Sequence, residues 1–359
     1  MKPLMLVMAG GTGGHVIPAL AVADVLRQRG IDIAWLGSEQ GIENRLVTNA
    51  GYPLHQLAVR GVRGGGLSRR LLAPFMLLGS VLAAWRVVRK LRPVVAIGFG
   101  GYASGPGAIA AWLTGVPLII HEQNARPGMT NRVLSRFARQ VLQGFPGAFE
   151  QAMTTGNPVR SAIAALPAPA ERYRPRGGVA DSPLRILITG GSQGALALNK
   201  QLPAALVAAL DGVDFEVRHQ TGRGRTEEAA QAWDGLAVKV ELSEFIDDMA
   251  SAFSWADLVI CRSGASTVSE VAAAGVAALF IPLPSAVDDH QTYNARWLAD
   301  KDAALLLPQG GLSADGLKAR LAVLADRGAL MQMAERARAM ALPGSAVTVA
   351  DICQEVAHG

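Results

Sequence analysis

Residues 4–20 read LMLVMAGGTGGHVIPAL, and residues 184–200 read LRILITGGSQGALALNK. Each is an apolar run, then a turn opened by two adjacent glycines, then a segment of helical composition. Glycine lets the backbone bend tightly and approach a ligand closely. The helix that follows presents free N–H groups, which favour an anion. The two copies lie 180 residues apart in a chain of 359, which reads as two similar halves. Working outward, apolar strand-like runs stand at 4–8, 31–36, 54–59, 94–97, 117–120 and 140–143 in the first half. In the second they stand at 184–189, 214–218, 237–240, 258–261, 277–281 and 304–307. Helix-length segments separate most of them, and continuous apolar strands between helices call for parallel sheets covered on both faces. The expected fold is α/β, two Rossmann-like doubly wound parallel-sheet domains facing across a cleft, with ligands at the carboxyl ends of the strands. The domains are placed at 1–160 and at 161–342. Residues 167–178, PAPAERYRPRGG, have linker composition.

Composition narrows the function. Half the residues are hydrophobic and 18% are charged, which excludes wholesale disorder. Two cysteines, Cys261 and Cys353, make no disulfide framework and point to a reducing compartment. No paired CxxC and no HExxH spacing occurs, so a structural zinc site or a zincin is not expected. The N-terminal apolar run is short and enters the glycine turn directly, as a first strand does and a signal peptide does not. A GxGxxG fingerprint needs glycine where Val16 stands, and a P-loop needs Gly-Lys-Ser/Thr, so neither a dehydrogenase nor a kinase is indicated.

The charge is uneven. Residues 1–156 carry 16 Lys and Arg against 6 Asp and Glu, and the remainder carries 18 against 23. Between Glu43 and Glu122 there is no acidic residue and there are nine basic ones. Inside that region lies the uncharged stretch Leu71–Trp85, LLAPFMLLGSVLAAW. As a helix it spans about 22 Å, short of the roughly 30 Å of bilayer hydrocarbon. It reads either as an interfacial segment on anionic lipid or as a core helix with a solvated basic end. On the first reading the membrane face comprises Arg69, Arg70, Leu71, Phe75, Leu78, Leu82, Trp85, Arg86 and Arg89. Nucleic acid is not expected, because no binding motif accompanies the charge and aromatic residues make up 5%.

The chemistry-bearing residues cluster after the strands. His15 closes the Gly10–Gly14 turn at a helix start. It reads as a general base kept neutral by the helix dipole, or as a residue that only caps the loop. Residues 98–106, GFGGYASGP, offer backbone donors and the Tyr102 and Ser104 hydroxyls. His121-Glu122-Gln123-Asn124 ends the apolar strand VPLII, where polar residues are costly unless they face a site, and Asn131 follows two helical turns on. In the second half the Ser192 turn repeats the anion-friendly geometry. After the strand DLVIC come Arg262 to Thr267 and a helix starting near Ser266, whose N–H groups suit a diphosphate. Glu270, one turn in, reads as a carboxylate for ribose hydroxyls or as a capping-box residue. Asp288-Asp289-His290-Gln291 and Asn294 open another helix. The one Asp-x-Asp, Asp300-Lys301-Asp302, follows a helix rather than an apolar strand and reads as a solvated turn, so no dedicated metal and no cofactor are expected.

GGTGGH, GGYASGP, HEQN, GNPVR (156–160), GGSQGA, the Ser-Gly…Glu loop and DDHQTYNA occur in this order along the whole chain. Together they resemble the bacterial peptidoglycan glycosyltransferases (family 28) that add N-acetylglucosamine to lipid I, making lipid II. The resemblance implies a GT-B fold, with a C-terminal helix at about 343–359 passing back to the first domain, and an inverting transfer from UDP-N-acetylglucosamine. It assigns donor contacts to Thr12, Gly13, Gly14, Asn124, Arg160 and Ser192. It further gives Ile246 to the uracil, Gly264, Ala265, Ser266 and Thr267 to the diphosphate, Glu270 to the ribose and Gln291 to the sugar. His15 becomes the base, with Tyr102, His121 and Asn131 near the acceptor. It also implies a peripheral protein at the cytoplasmic face of the inner membrane, in the company of cell-wall synthesis and division proteins. Competing readings are a UDP-sugar 2-epimerase, a diacylglycerol glycolipid synthase of the same fold, and a membrane-binding scaffold with a dead site.

Overall fold

The first half folds into strands whose central members are buried on both faces. Among the described residues they are β1 (Leu4–Ala9), β2 (Asp32–Ser38), β3 (Leu54–Leu57), β4 (Val95–Gly100), β5 (Leu118–Glu122), β6 (Gln140–Gln143) and β7 (Met153–Thr154). They pair in parallel in the order β3-β2-β1-β4-β5-β6-β7. The helices are α1 (Gly13–Gln28), α2 (Glu43–Asn49), α3 (Leu67–Leu91), α4 (Ser104–Leu113) and α5 (Met129–Leu134). One face of the sheet buries Val16, Val22 and Leu26 of α1; the other buries Ala84 and Val88 of α3 and Ala108 and Ala111 of α4. The two residues of β7 are exposed and carry no apolar pattern, which is why the sequence does not reveal that strand. The computed structural model describes residues 2–59, 67–177, 182–191, 194–322 and 327–358, with 67–74 and 174–177 described by backbone alone.

The second half builds β8 (Leu184–Thr189), β9 (Phe215–Gln220), β10 (Lys239–Ser243), β11 (Leu258–Cys261), β12 (Ala277–Phe280) and β13 (Leu305–Leu306), parallel in the order β10-β9-β8-β11-β12-β13. Its helices are α6 (Ser161–Ala164), α7 (Pro169–Gly177), α8 (Leu196–Ala209), α9 (Thr226–Trp233), α10 (Met249–Trp255), α11 (Ala265–Ala274), α12 (His290–Ala299), α13 (Ala314–Leu321) and α14 (Arg327–Met340). The last helix, α15 (Ser345–His358), packs on α1, burying Val349, Ala350 and Cys353, with Arg29 and Asp351 paired at 2.7 Å. The chain thus divides into unit 1, Met1–Val159 with Gly344–Gly359, and unit 2, Arg160–Pro343. In both sheets the strand order reverses beside the first strand, between β1 and β4 and between β8 and β11. That switch point is where ligands bind in open parallel sheets.

Two expectations are corrected. Residues 167–178 are not a linker, because 169–177 form α7. Its Arg172 is buried and donates to the carbonyls of Pro167, Phe253, Ala274 and Gly275, while Tyr173 donates to Asp257 O at 2.8 Å. The crossing between units falls earlier, at 159/160. Nor is Leu71–Trp85 a helix of its own; it is the middle of the 25-residue α3. The C-terminal half of α3 buries Val81, Ala84 and Val88, whereas Phe75, Leu77, Leu78 and Leu82 lie exposed. Trp85 is half-buried with the Arg89 guanidinium 5.0 Å over its ring, and Arg86 and Arg89 are exposed. The side chains of Arg69, Arg70 and Leu71 lie outside the described residues. Among the described residues, no helix is long and apolar enough to cross a membrane.

Candidate functional site

In unit 1 the site is built where β1 and β4 end. The register between them slips after Met8, leaving Phe99 as a bulge, and the glycines of both strand ends then touch. Gly10 N donates to Gly100 O at 3.3 Å, and a Cβ on Gly101 would collide with Gly10 O. Thr12, exposed, is the N-cap of α1 with its side chain making no cap bond, so Gly13, Gly14 and His15 form the first turn. His15 Nδ1 lies 3.2 Å from Gly10 O and 3.5 Å from Thr12 Oγ1. A carbonyl oxygen only accepts, so Nδ1 carries the proton and Nε2 carries the lone pair of the neutral ring. The His15 ring lies against the Cα of Gly100. Tyr102 is exposed. Ser104, by contrast, is fully buried, 2.8 Å from Met8 O and 2.7 Å from Gly100 O, and serves the turn rather than a ligand.

The HEQN segment organises the next loop. Glu122 is 2% exposed. Its Oε1 accepts from Asn124 N (2.9 Å) and Nδ2 (3.1 Å), and its Oε2 from Gly128 N (3.1 Å) and Asn131 Nδ2 (2.8 Å). Asn124 and Asn131 are thereby brought onto one carboxylate. His121 does not face a site as the sequence suggested. It has no exposed surface, stacks on Phe99 at 5.4 Å, and shares hydrogen bonds with Gly156 O (3.0 Å) and Gln123 Nε2 (3.2 Å). Burial pushes its pKa down to about 4, so the ring is neutral with its proton on Nε2.

In unit 2, β11 ends in Cys261 and α11 starts at Ala265 with Gly264 as N-cap and no side-chain cap. Glu270 therefore sits three residues too deep for a capping box, which closes that reading. Arg160 meets it instead: Nε and NH2 both lie 2.9 Å from Glu270 Oε1, and Oε2 makes no hydrogen bond among the described residues. Burial raises the Glu270 pKa, and the Arg160 charge and hydrogen bond oppose that rise. Ser263 Oγ and Ser266 Oγ are buried at the helix start without a partner. One residue earlier, buried Arg262 donates to Ile281 O (2.9 Å), Pro282 O (3.1 Å) and Gln309 Oε1 (2.7 Å), all neutral acceptors. Among the described residues no carboxylate pairs with it, and it lies directly behind the loop that opens α11. Asn294 ties α12 to the same loop through Ser263 O at 3.2 Å, and Gln291 Oε1 accepts from Leu283 N at 3.0 Å.

Ile246 lies half-buried in the β10–α10 connection. The sequence did not single out Gln220, whose Nε2 bridges Gly191 O (3.1 Å) and Glu244 O (2.9 Å) and so joins the second glycine turn to the Ile246 segment. Its signal was the buried polar pair His219-Gln220 ending a strand whose preceding residues alternate apolar and charged. Ser192 lies outside the described residues. Among those described, no group of three or more His, Cys, Asp or Glu is placed to hold a metal ion.

The family models for the glycosyltransferase family 28 N-terminal domain and C-terminal domain match residues 5–143 and 185–353. A UDP-N-acetylglucosamine–N-acetylmuramyl-(pentapeptide) pyrophosphoryl-undecaprenol N-acetylglucosamine transferase of Alcanivorax borkumensis is 58% identical, over 100% of both chains. The enzyme of that name from Aeromonas hydrophila is 53% identical over 100% of this chain and 98% of its own. The crystal structure of Acinetobacter baumannii MurG superposes with a TM-score of 0.85 at 43% identity, covering 99% of this chain and 100% of that one. The chain belongs to glycosyltransferase family 28, among its UDP-N-acetylglucosamine–N-acetylmuramyl-(pentapeptide) pyrophosphoryl-undecaprenol N-acetylglucosamine transferases.

Proposed function

We propose that the chain moves N-acetylglucosamine from UDP-N-acetylglucosamine to the 4-hydroxyl of the muramyl sugar of lipid I, forming the β-1,4 linkage of lipid II for peptidoglycan. The observation that carries this reading is the full-length likeness to transferases of that activity. The donor is α-linked and the product β-linked, so one in-line displacement inverts the anomeric carbon without an enzyme nucleophile. His15 Nε2 takes the proton of the acceptor hydroxyl as the new bond forms. The leaving UDP gathers negative charge, which the α11 N-terminus at Gly264–Thr267 and the buried Arg262 are suited to stabilise. Glu270 Oε2 accepts from the ribose, with Arg160 holding the other oxygen.

In this reading the transfer uses no resident metal or cofactor, and Asp300-Lys301-Asp302 is a turn, with Asp302 at φ +52°. Full turnover in EDTA supports that; turnover lost in EDTA and restored by a divalent ion overturns it. We place the protein as peripheral on the cytoplasmic face of the inner membrane, where lipid I is anchored. The exposed Phe75, Leu78 and Leu82 with Arg86 and Arg89 dock on anionic lipid, and exposed Trp112 and Phe137 extend the apolar surface near the α4 and α5 ends. Loss of binding to anionic vesicles in the Arg86→Glu, Arg89→Glu protein supports docking; unchanged binding contradicts it. The activity itself is tested by UDP release from UDP-N-acetylglucosamine with and without a lipid I analogue. Release only with acceptor supports the transferase, and acceptor-independent turnover would make the chain an epimerase or hydrolase.

A further inference from the structure

Three glycines of unit 1 are not explained by backbone conformation. Gly10, Gly37 and Gly41 all lie outside the positive-φ region that favours glycine. What they share is a neighbour. A Cβ on Gly10 would stand 2.5 Å from Glu43 Oε1, one on Gly37 2.7 Å from Glu43 Cγ, and one on Gly41 would overlap the same carboxylate. Glu43 opens α2 and has no exposed surface. Its Oε1 accepts from Ser38 N (2.7 Å) and Ser38 Oγ (2.6 Å), and its Oε2 accepts from Gly11 N (2.9 Å). A buried carboxylate is expensive unless several donors meet it. It is also an odd neighbour for a loop read as serving an anionic substrate, unless its work is geometric.

The loop it grips carries His15. Gly11 sits at φ +86° with its N–H on Glu43, and the adjoining Gly10 carbonyl takes the His15 Nδ1 proton. From the other side Gly100 and Gly101 press on Gly10. The loop is thus held between a carboxylate and a second strand end, and the carboxylate takes the Gly11 N–H directly. We propose that Glu43 is a positioning residue for the transfer: by holding Gly11 it fixes the Gly10 carbonyl, and through it the tautomer and direction of His15. This rests on the reading of His15 as the base.

The test is a double-mutant cycle of Glu43→Gln and His15→Ala, reading kcat with a lipid I analogue, UDP affinity by calorimetry, and thermal melting. The glutamine keeps the shape, but its amide offers an oxygen to Ser38 or to Gly11 and sets an N–H against the other donor. Misplacing a catalytic group by a fraction of an ångström costs about 10- to 100-fold in kcat. The expected result is such a loss with UDP affinity unchanged, and no further loss when the substitution is added to His15→Ala. If Glu43→Gln retains full kcat, or if the two losses multiply, Glu43 does not act through His15 and the proposal falls. If His15→Ala itself keeps full turnover, the base reading falls first, whatever Glu43 does. Should Glu43→Gln fail to fold, Ser38→Ala removes one donor to the same carboxylate. A loss of about 2- to 10-fold is then expected, again absent in the His15→Ala background, and a multiplying loss overturns the proposal.

Discussion

A single methyl group at Gly100 should slow transfer while leaving donor affinity alone. Gly100 ends β4 at φ +104°. A Cβ there would stand 2.9 Å from His15 Cδ2 and 3.0 Å from Nε2. Carbon–carbon contact is comfortable from about 3.5 Å, so the ring must retreat by about half an ångström. The retreat strains the 3.2 Å bond from Nδ1 to Gly10 O, which sets the tautomer. A base needs placement to about 0.5 Å, so kcat in Gly100→Ala should fall about 10- to 100-fold. The alanine must also hold a positive φ, costing about 1–3 kcal/mol; at about 2–4 °C per kcal/mol for a domain of this size, unit 1 should melt several degrees lower. The assay is acceptor-dependent UDP release, with UDP binding by calorimetry and a melting curve on the same protein. Folded Gly100→Ala with wild-type kcat would refute the placement of His15 as the base, and weakened UDP binding would show the damage to be general.

Glu270→Gln should raise the donor KM about 10- to 100-fold, the equivalent of about 1.5–3 kcal/mol for a hydrogen bond to a charged group. The amide cannot satisfy both Arg160 and the ribose, and a fall in kcat at unchanged KM would contradict the ribose role. Arg160→Gln removes the charge that opposes burial at Glu270, so its carboxyl pKa should climb further. Since the carboxylate is the binding form, the rise of donor affinity with pH should move to higher pH in that variant than in the wild type; coincident profiles would contradict the pairing. His121 and His219 are buried, with pKa values pushed from 6.5 to about 4. Unfolding lets each take a proton, so the stability they carry is complete above pH 6.5 and is lost as pH falls toward 4. That loss is about 3 kcal/mol per ring. Melting temperature against pH should therefore fall less steeply in His219→Gln than in wild type, and parallel curves would count against it.

Strands with both faces buried leave continuous apolar runs, and this is why β1, β8 and β11 and the glycine turns behind β1 and β8 were legible residue by residue. The motifs followed because a parallel sheet collects its ligand-binding loops at one end of its strands. What stayed hidden depends on contacts between distant segments. Glu43 reads as one more surface charge until the fold brings Gly10, Gly37 and Gly41 around it. Arg172 and Tyr173 lie in a stretch whose proline, arginine and glycine content imitates a linker, yet carbonyls from two other segments receive the guanidinium and bury it. His121 sits where an apolar strand turns polar, a pattern shared by site residues and by buried hydrogen-bonded ones. The Gly156 carbonyl that decides between them comes from 35 residues away. Glu270 could not be separated from a capping box until the helix start was fixed at Ala265 rather than at Ser266 or Thr267.

The most direct measurement is the turnover of His15→Ala in acceptor-dependent UDP release, beside its UDP affinity. With His15 as the base, kcat falls about 10²- to 10⁴-fold while UDP, which the proposed site grips mainly through residues 264–270, binds as before. A variant that still turns over at the wild-type rate, with UDP bound as in wild type, would contradict the assignment of the base to the Gly10–His15 loop.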